Sequence, residues 1–299
     1  MQPDFLKHTD ELFRITLRDG QAQAMIATTR ELCQEAANLH NTTPVCTAAL
    51  GRLMTGTAMM GAALKGPEDS VTVTLKGGGP AGTLIAVSRP GEVKATLDNP
   101  RVSLPLTPGG KLDVGGAVGW DGRMSVVRDL GLKEPYIGQV ELVSGEIAED
   151  FAMYYAKSEQ QPSLVALGVL VAGDSVLQAG GVLVQTLPGC TEETLSQLEL
   201  RSQLFSSISQ ELNYASPEQL IQDWFRGLDP QILERRPLRY VCGCSRYRME
   251  RALISLGKKE LDALIREDEG AELTCHFCHN HYHFTTAELT DLVKKAQRA

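Results

Sequence analysis

Four cysteines near the end of the chain restrict its possible folds more than any other feature of the sequence. They form two close pairs, Cys242-x-Cys244 and Cys275-x-x-Cys278, in the stretches VCGCSRYRM and TCHFCHNHYHF. Four thiolates in this arrangement match a closed tetrahedral zinc site, which takes soft sulfur ligands and leaves no open position for a substrate. The same thiols can be oxidised to disulfides, so a redox switch is physically possible. The remaining alternative is four unrelated reduced cysteines.

The compartment decides between zinc and disulfides, and the sequence favours a reducing one. The N-terminal stretch MQPDFLKHTDELF has no basic start and no apolar run, which is unlike a signal peptide. Residues 45–64 contain Arg52 and are only weakly apolar, so they predict a buried helix rather than a membrane span. We therefore expect a cytoplasmic protein with no membrane partner, and in the cytoplasm a zinc site is more common than a disulfide framework.

Length and charge limit the classes of function. A chain of 299 residues with 42% hydrophobic residues can build a large core, and its net charge of −8 disfavours a chain-wide attraction to nucleic acid. A zinc-knuckle nucleic-acid-binding protein stays open as an alternative, because one stretch is basic. Its cationic residues are Arg235, Arg236, Arg239, Arg246, Arg248, Arg251, Lys258 and Lys259. Aromatic support from Tyr240 and Tyr247 is thin for a nucleic-acid surface.

Hydrophobic periodicity predicts an α+β fold in three parts: an N-terminal domain of sheet and helices (1–189), a metastable helical linker region (190–240) and a small zinc-binding domain (241–299). The first part begins with a hairpin at 12–28, followed by helices at 29–40 and 45–64, and then by strands from residue 71 onward.

The linker region is amphipathic but too short to have a large core of its own. It carries residues on one face at helical spacing, namely Leu198, Arg201, Phe205, Ile208 and Leu212. A second helix is predicted to begin at Ser216-Pro217-Glu218. We expect this region either to pack on another part of the chain or to be only marginally ordered.

The C-terminal block is predicted to fold around its cysteines. Two short helices lie between the pairs, the second pair lies between the strand-like stretches AELT and HYHF, and Thr285-x-x-Glu288 is a capping box that begins a last helix. A unit of this size seldom buries enough apolar surface unaided, so zinc is expected to supply much of its stability.

Other polar groups near the cysteines have two interpretations. One of the four nearby histidines could replace a cysteine ligand, but we favour solvated or outer positions because four cysteines already complete a site. These histidines are His276, His279, His281 and His283. Arg246, Arg248 and Arg251 could lower the thiol pKa, or could equally be ordinary solvated helix charges.

The remaining motifs do not indicate an active site. KGGGPAG, residues 76–82, lacks the ending of a phosphate-binding loop and is interpreted as a strand connection. Cys33 and Cys46 are predicted core residues, and Cys190 is a predicted exposed thiol without an assigned role. A dithiol oxidoreductase is a third possibility, but two cysteine pairs fit it poorly, since such enzymes use one reactive pair at a helix N-terminus. We therefore expect a protein that is not an enzyme.

The sequence resembles the 33 kDa chaperonin family over essentially its whole length. The resemblance rests on NTTPVCTAALGRLMTGTAMMGA, LKGGGPAGTLIAV, GEVKATLDNP, YYAKSEQQPSLVALGVLV and AGGVLVQTLPG, and at the C-terminus on VCGCSRYRMERALISLGKKEL and CHFCHNHYHF. Family members are redox-regulated holdases of the bacterial cytoplasm, which bind unfolding proteins without ATP. The combination of the two cysteine spacings is highly specific, and all four cysteines are present here.

The resemblance implies a switch. Reduced protein would bind one zinc through Cys242, Cys244, Cys275 and Cys278 and be inactive. Oxidation would form the disulfides Cys242–Cys244 and Cys275–Cys278, release zinc and unfold both the C-terminal block and the linker region, after which the protein would dimerise and hold unfolding client proteins. We further predict that residues 190–240 pack over the sheet of the first domain in the reduced state and expose apolar surface once they are released.

Overall fold

The structure is a computed structural model that describes residues 8–267 and 270–296. Residues 1–7, on which the signal-peptide prediction partly depends, lie outside the described residues, as does Asp268 at the end of a predicted helix. The chain divides into two compact units, one that ends at Val241 and one that begins at Cys242. The functional division into three parts stays a prediction.

The first unit contains the strands β1 (Glu11–Leu17), β2 (Ala22–Thr28), β3 (Ser70–Lys76), β4 (Thr83–Arg89), β5 (Glu92–Leu97), β6 (Arg123–Asp129), β7 (Tyr136–Glu141), β8 (Ser163–Ala172), β9 (Ser175–Thr186), β10 (Gln231–Pro237) and β11 (Arg239–Tyr240). Its helices are α1 (Arg30–His40), α2 (Pro44–Ala62), α3 (Val114–Val118), α4 (Ala148–Lys157), α5 (Glu192–Phe205), α6 (Ile208–Glu211) and α7 (Pro217–Trp224). This mixture confirms the predicted α+β class.

The strands of the first unit form two sheets. The first, sheet A, has the order β10-β1-β2-β9-β8, and the second, sheet B, has the order β11-β5-β4-β3-β6-β7. The predicted N-terminal hairpin is confirmed as β1 and β2, which pair from Leu12↔Ala27 to Leu17↔Ala22. KGGGPAG is confirmed as the connection between β3 and β4.

Helix α2 lies in the core that joins the two sheets. Nearly all of its side chains are buried, and they share one cluster with Met25 of sheet A and with Val73 and Ala86 of sheet B. Its small residues permit this close packing, since a Cβ added at Gly56 would lie 2.3 Å from the Phe151 ring. The prediction of a buried helix for 45–64 is confirmed. Among the described residues, no helix has both the length and the apolarity needed to cross a bilayer.

The linker region covers the other face of sheet A. Leu198, Phe205, Ile208 and Leu212 are buried there in one cluster with apolar residues of β1, β2 and β9, and Arg201 is half-buried beside them. The predicted helix start at Ser216 is confirmed, because its hydroxyl accepts a hydrogen bond from the Gln219 N–H. The predicted packing of this region over the sheet of the first domain is therefore observed.

The end of the linker region differs from the helical prediction. Residues 231–237 form β10, which pairs antiparallel with β1, and residues 239–240 form β11, which pairs in parallel with β5. The physical reason is that the free edges of β1 and β5 supply backbone partners that sequence periodicity cannot reveal. Tertiary pairing decides the conformation of this charged segment, not its intrinsic propensity.

The second unit contains the helices α8 (Arg246–Leu256), α9 (Lys258–Glu267) and α10 (Thr286–Ala296), and the antiparallel hairpin of β12 (Gly270–Thr274) and β13 (His281–Thr285). Its buried apolar side chains are Leu253, Leu261, Phe284, Leu289, Leu292 and Val293. The predicted capping box is confirmed, since the Thr285 N–H donates to Glu288 at 2.8 Å and the Glu288 N–H donates to the Thr285 hydroxyl at 3.4 Å. The core of this unit is small, as the sequence predicted.

Candidate metal centre

Cys275 and Cys278 lie in the turn of the second unit's hairpin. The Cys275 N–H donates to the Asn280 carbonyl at 2.9 Å, and the His279 N–H donates to the Cys275 carbonyl at 2.8 Å. His279 adopts a left-handed backbone conformation with φ of 57°. This tight turn brings the two thiols of a C-x-x-C pair to the same side of the hairpin end.

Cys242 and Cys244 lie immediately before α8. Ser245 caps that helix, because its hydroxyl accepts a hydrogen bond from the Arg248 N–H at 3.3 Å. The cap fixes the point at which the extended C-x-C segment ends and the helix begins. The two pairs thus come from two different elements of the same unit.

The four sulfur atoms converge on one point. All four Sγ atoms lie within 4.8 Å of one another. The closest contacts join one cysteine of each pair, at 3.6 Å between Cys242 and Cys275 and at 3.4 Å between Cys244 and Cys278. All four are free thiols, of which Cys275 is buried and the others are half-buried.

This sulfur cluster fits a zinc ion. Sulfurs bound at a Zn–S distance of about 2.3 Å in a tetrahedron lie about 3.8 Å from one another, which is within the range of separations found here. Four soft donors in a closed arrangement also match the preference of zinc over magnesium or calcium. The chemistry of the donor set therefore agrees with a structural zinc site.

Tyr282 is a member of the site that sequence reasoning missed. Its hydroxyl donates a hydrogen bond to Cys244 Sγ at 3.1 Å. Desolvation alone would raise the pKa of the Cys244 thiol, but hydrogen bonds from Tyr282 and Cys278 outweigh this and lower the pKa to about 7. Side chains alternate between the two faces of a strand, so Tyr282 lies on the face of β13 opposite to its neighbours His281 and His283. The alternation in HYHF was the available sequence signal for this placement.

The histidines occupy outer positions, as the sequence analysis favoured. In the described part of the chain, the cluster that could hold a metal consists of the four cysteines. His281 and His283 instead approach the Glu272 carboxylate across the hairpin, with Nδ1–O distances of 2.7 and 3.5 Å. The imidazole of each therefore has a carboxylate partner outside the sulfur cluster.

Arg246 has partners other than the thiols it was considered to activate. Its guanidinium donates to Glu288 at 2.6 Å and stacks over the Phe284 ring, 4.3 Å from the centroid. It thereby ties the start of α8 to β13 and α10. The structure favours the interpretation of Arg246 as a structural helix charge.

The other cysteines lie far from this chemistry along the chain. Cys33 and Cys46 are buried in the first unit's core, as predicted, and burial raises the pKa of the Cys33 thiol well above its usual range. Cys190 is half-exposed just before α5.

Comparison with known proteins identifies similar chains over nearly the whole length. The family described as Hsp33 protein matches residues 10–285. The chain is 46% identical over 288 residues to the 33 kDa chaperonin of Ruminiclostridium cellulolyticum, covering 96% of this chain and 98% of the relative. It is 44% identical over 292 residues to the 33 kDa chaperonin of Bacillus subtilis, covering 97% of this chain and 100% of the relative.

A solved structure supports the same assignment. The crystal structure of the 33 kDa chaperonin, a heat shock protein 33 homolog, from Thermotoga maritima superimposes with a TM-score of 0.88 at 36% sequence identity. The match covers 98% of this chain and 100% of the other.

Proposed function

Since the chain belongs to the Hsp33 family of 33 kDa chaperonins, we propose that it is a chaperone whose binding of unfolding proteins is switched on by oxidation. It acts as a holdase without ATP and by binding rather than by catalysis. Its site of action is the cytoplasm, where the thiols are reduced in the absence of stress.

In the reduced state, one zinc per chain is held by Cys242, Cys244, Cys275 and Cys278. Bound zinc supplies a cross-link that keeps four thiolates together and stabilises the fold around them. The small apolar core of the second unit supports this role, because a cluster of six buried apolar side chains among its described residues is small for an independently stable unit. Tyr282 orients Cys244 through its hydrogen bond.

Oxidation converts the four thiolates into two disulfides. Each disulfide forms when two thiolates give two electrons to one hydrogen peroxide molecule, which takes up two protons and is reduced to two water molecules. The pairing Cys242–Cys244 and Cys275–Cys278 comes from the family resemblance. All four sulfurs lie within 4.8 Å of one another, so their separations are compatible with this pairing but do not select it. Sulfurs in disulfides are no longer thiolate ligands, so the zinc is released.

The observation that carries the proposal is the covered apolar face of sheet A. Phe13, Ile15, Leu17, Ile26 and Val184 of the sheet are buried under the linker region. The residues of the linker region that cover them are Leu198, Phe205, Ile208, Leu212, Leu220, Ile221, Trp224, Phe225 and Leu228. Release of the linker region uncovers apolar surface on both partners, and such surface binds unfolded chains or a second copy of the protein. From the family resemblance, we propose that the oxidised form is a homodimer that holds client proteins.

The nucleic-acid alternative receives little support from the basic stretch. Arg235 pairs with Glu11 and Glu218, and Arg236 pairs with Glu234. Arginines already compensated by carboxylates contribute less to phosphate binding. We therefore propose no nucleic-acid partner.

An aggregation assay tests the proposed function. Reduced zinc-loaded protein and peroxide-treated protein are compared for suppression of light scattering by a thermally unfolding enzyme. We expect suppression only after oxidation, and we expect Cys275→Ser/Cys278→Ser to alter this dependence. Cys190→Ser is the matched control and should behave as the wild type. Equal suppression by reduced and oxidised wild type would refute the switch.

A further inference from the structure

Strand β10 covers an edge of sheet A that would otherwise be open. It pairs antiparallel with β1 from Glu11↔Pro237 to Thr16↔Gln231, with a register irregularity between Arg14 and Ile15. Without β10, the N–H and C=O groups on this side of β1 would have no strand partner. Such an edge is a template for pairing with another extended chain.

β10 is held mainly by its backbone and by charge. All its side chains are exposed or half-buried, and Ile232 and Leu233 are 43% and 65% exposed. Its ion pairs to β1 join Arg14 to Glu234 at 3.3 Å and Arg235 to Glu11 at 2.6 Å. Partly exposed ion pairs of this kind contribute about 0–1 kcal/mol each. β10 is therefore among the elements of the first unit that are easiest to release.

The composition of β10 is typical of a strand that protects an edge. It contains Glu234, Arg235 and Arg236 and ends at Pro237, and charges and proline discourage further strand pairing. The neighbouring strand β1 differs in composition, because its residues Phe13, Ile15 and Leu17 are buried and apolar. A charged strand thus masks an edge whose own sequence favours β pairing.

Along the chain, only the short strand β11 separates β10 from the cysteine cluster. After β11, the Val241 N–H donates to the Val93 carbonyl at 3.1 Å, and the next residue is Cys242. In the proposed function, the linker region loses its order when the zinc centre is lost. β10 lies near the end of that region, and none of its side chains is buried.

We propose that the β1 edge, once β10 has left it, is a binding site for an extended segment of an unfolding protein, which adds to sheet A as a new strand. This inference rests on the proposed function and specifies how a client is held. The native pairing shows that the edge accepts a strand without burying that strand's side chains. Main-chain hydrogen bonds are independent of sequence, so this mode suits clients of unrelated sequence.

The uncovered face of sheet A adds a preference for apolar segments. Phe13, Ile15 and Leu17 project from β1 to the face that the linker helices cover. Every second side chain of an added strand would lie on that same face. The preferred client segment is therefore extended, with apolar residues at alternate positions.

Hydrogen exchange measured on β1 tests the inference. The exchange of single amides is compared in three samples: reduced protein, oxidised protein, and oxidised protein with an added unfolded chain. The added chain is reduced carboxymethylated α-lactalbumin, which stays permanently unfolded. We expect the β1 amides that face β10 to exchange at least tenfold faster after oxidation and to regain protection when the unfolded chain is added. The edge strand β7 (Tyr136–Glu141) is the internal control and should respond to neither the oxidant nor the added chain.

Three results would overturn the inference: β1 protection that survives oxidation, β1 amides that stay exposed while the client is held, or protection regained through raised protein concentration alone. The last would assign the edge to a second copy of this chain. Aggregation suppression on the same samples separates the two proposals, since its absence after oxidation refutes the proposed function itself.

A locked variant provides a second test. Thr16→Cys/Gln231→Cys joins paired residues of β1 and β10 by a disulfide that forms under the same peroxide treatment. We expect this variant to release zinc normally but to suppress aggregation at least tenfold less well than either single variant. Full activity of the locked protein would contradict the inference.

Discussion

Phe205→Ala should activate the protein without oxidant. Phe205 belongs to the linker region and is fully buried against sheet A, and its ring centroid lies 5.2 Å from that of Trp224 and 5.7 Å from that of Phe225. Truncation of a buried phenylalanine to alanine costs about 3–5 kcal/mol. A free-energy change of about 1.4 kcal/mol changes an equilibrium constant tenfold. The ratio of docked to released linker region should therefore fall by roughly two to three and a half powers of ten.

The assay compares reduced, zinc-loaded Phe205→Ala with the wild type by limited proteolysis and by aggregation suppression. We expect cleavage within residues 190–240 and substantial holdase activity with all thiols still reduced. Leu200→Ala is the matched control, since Leu200 lies in the same helix, α5, and is 81% exposed. A Phe205→Ala protein that is destabilised in urea yet stays inactive and protease-resistant would refute the claim that the covered face is the holdase surface.

The remaining predictions concern the metal centre, pH and packing. Tyr282→Phe removes the hydrogen bond to Cys244 Sγ, and chelator competition should show zinc affinity lower by about tenfold, as for other outer-sphere partners of metal ligands. Burial raises the pKa of Asp10 from 3.8 to about 7, so the native state holds an extra proton between these values. The stability linked to Asp10 is therefore fully present below about pH 4 and is lost as pH rises to about 7. In Asp10→Asn, the free energy of unfolding measured in urea should depend less on pH across this range. Gly56→Ala places a Cβ 2.3 Å from the Phe151 ring and should lower the free energy of unfolding by about 1–3 kcal/mol in thermal or urea denaturation.

Matched variants sharpen these tests. Tyr247→Phe changes an exposed tyrosine in the same unit and should leave zinc affinity unchanged. Gly109→Ala adds a Cβ whose nearest neighbour is 3.9 Å away and should be nearly neutral. Wild-type zinc affinity in Tyr282→Phe would contradict the role of its hydrogen bond. An unchanged dependence of the free energy of unfolding on pH in Asp10→Asn would contradict the titration of Asp10. Wild-type stability in Gly56→Ala would contradict the steric argument.

Features encoded locally were predictable from the sequence. The N-terminal hairpin follows from two extended runs that flank a turn at Asp19-Gly20, and the capping box of Thr285 and Glu288 follows from spacing alone. The convergence of the four thiols was also expected, because two close cysteine pairs predict one shared site that could hold a metal. These inferences depend on residues that are neighbours in the chain.

Features created by distant contacts were not predictable. β10 pairs with a strand more than two hundred residues earlier in the chain, and its run of charges disfavours a strand assignment. The hydrogen bond from Tyr282 to Cys244 depends on how the hairpin and the C-x-C segment meet, and so does the stacking of Arg246 on Phe284. Periodicity identifies which face of an element is apolar, but it does not identify what covers that face.

In the proposed function, loss of the zinc centre creates the holdase. The most direct measurement follows zinc release, free thiols and aggregation suppression on one sample during peroxide treatment at raised temperature. We expect one zinc to leave each chain as four thiols disappear, and we expect suppression to begin only afterwards. Zinc that stays bound while activity rises, or equal activity before any thiol is lost, would contradict this expectation.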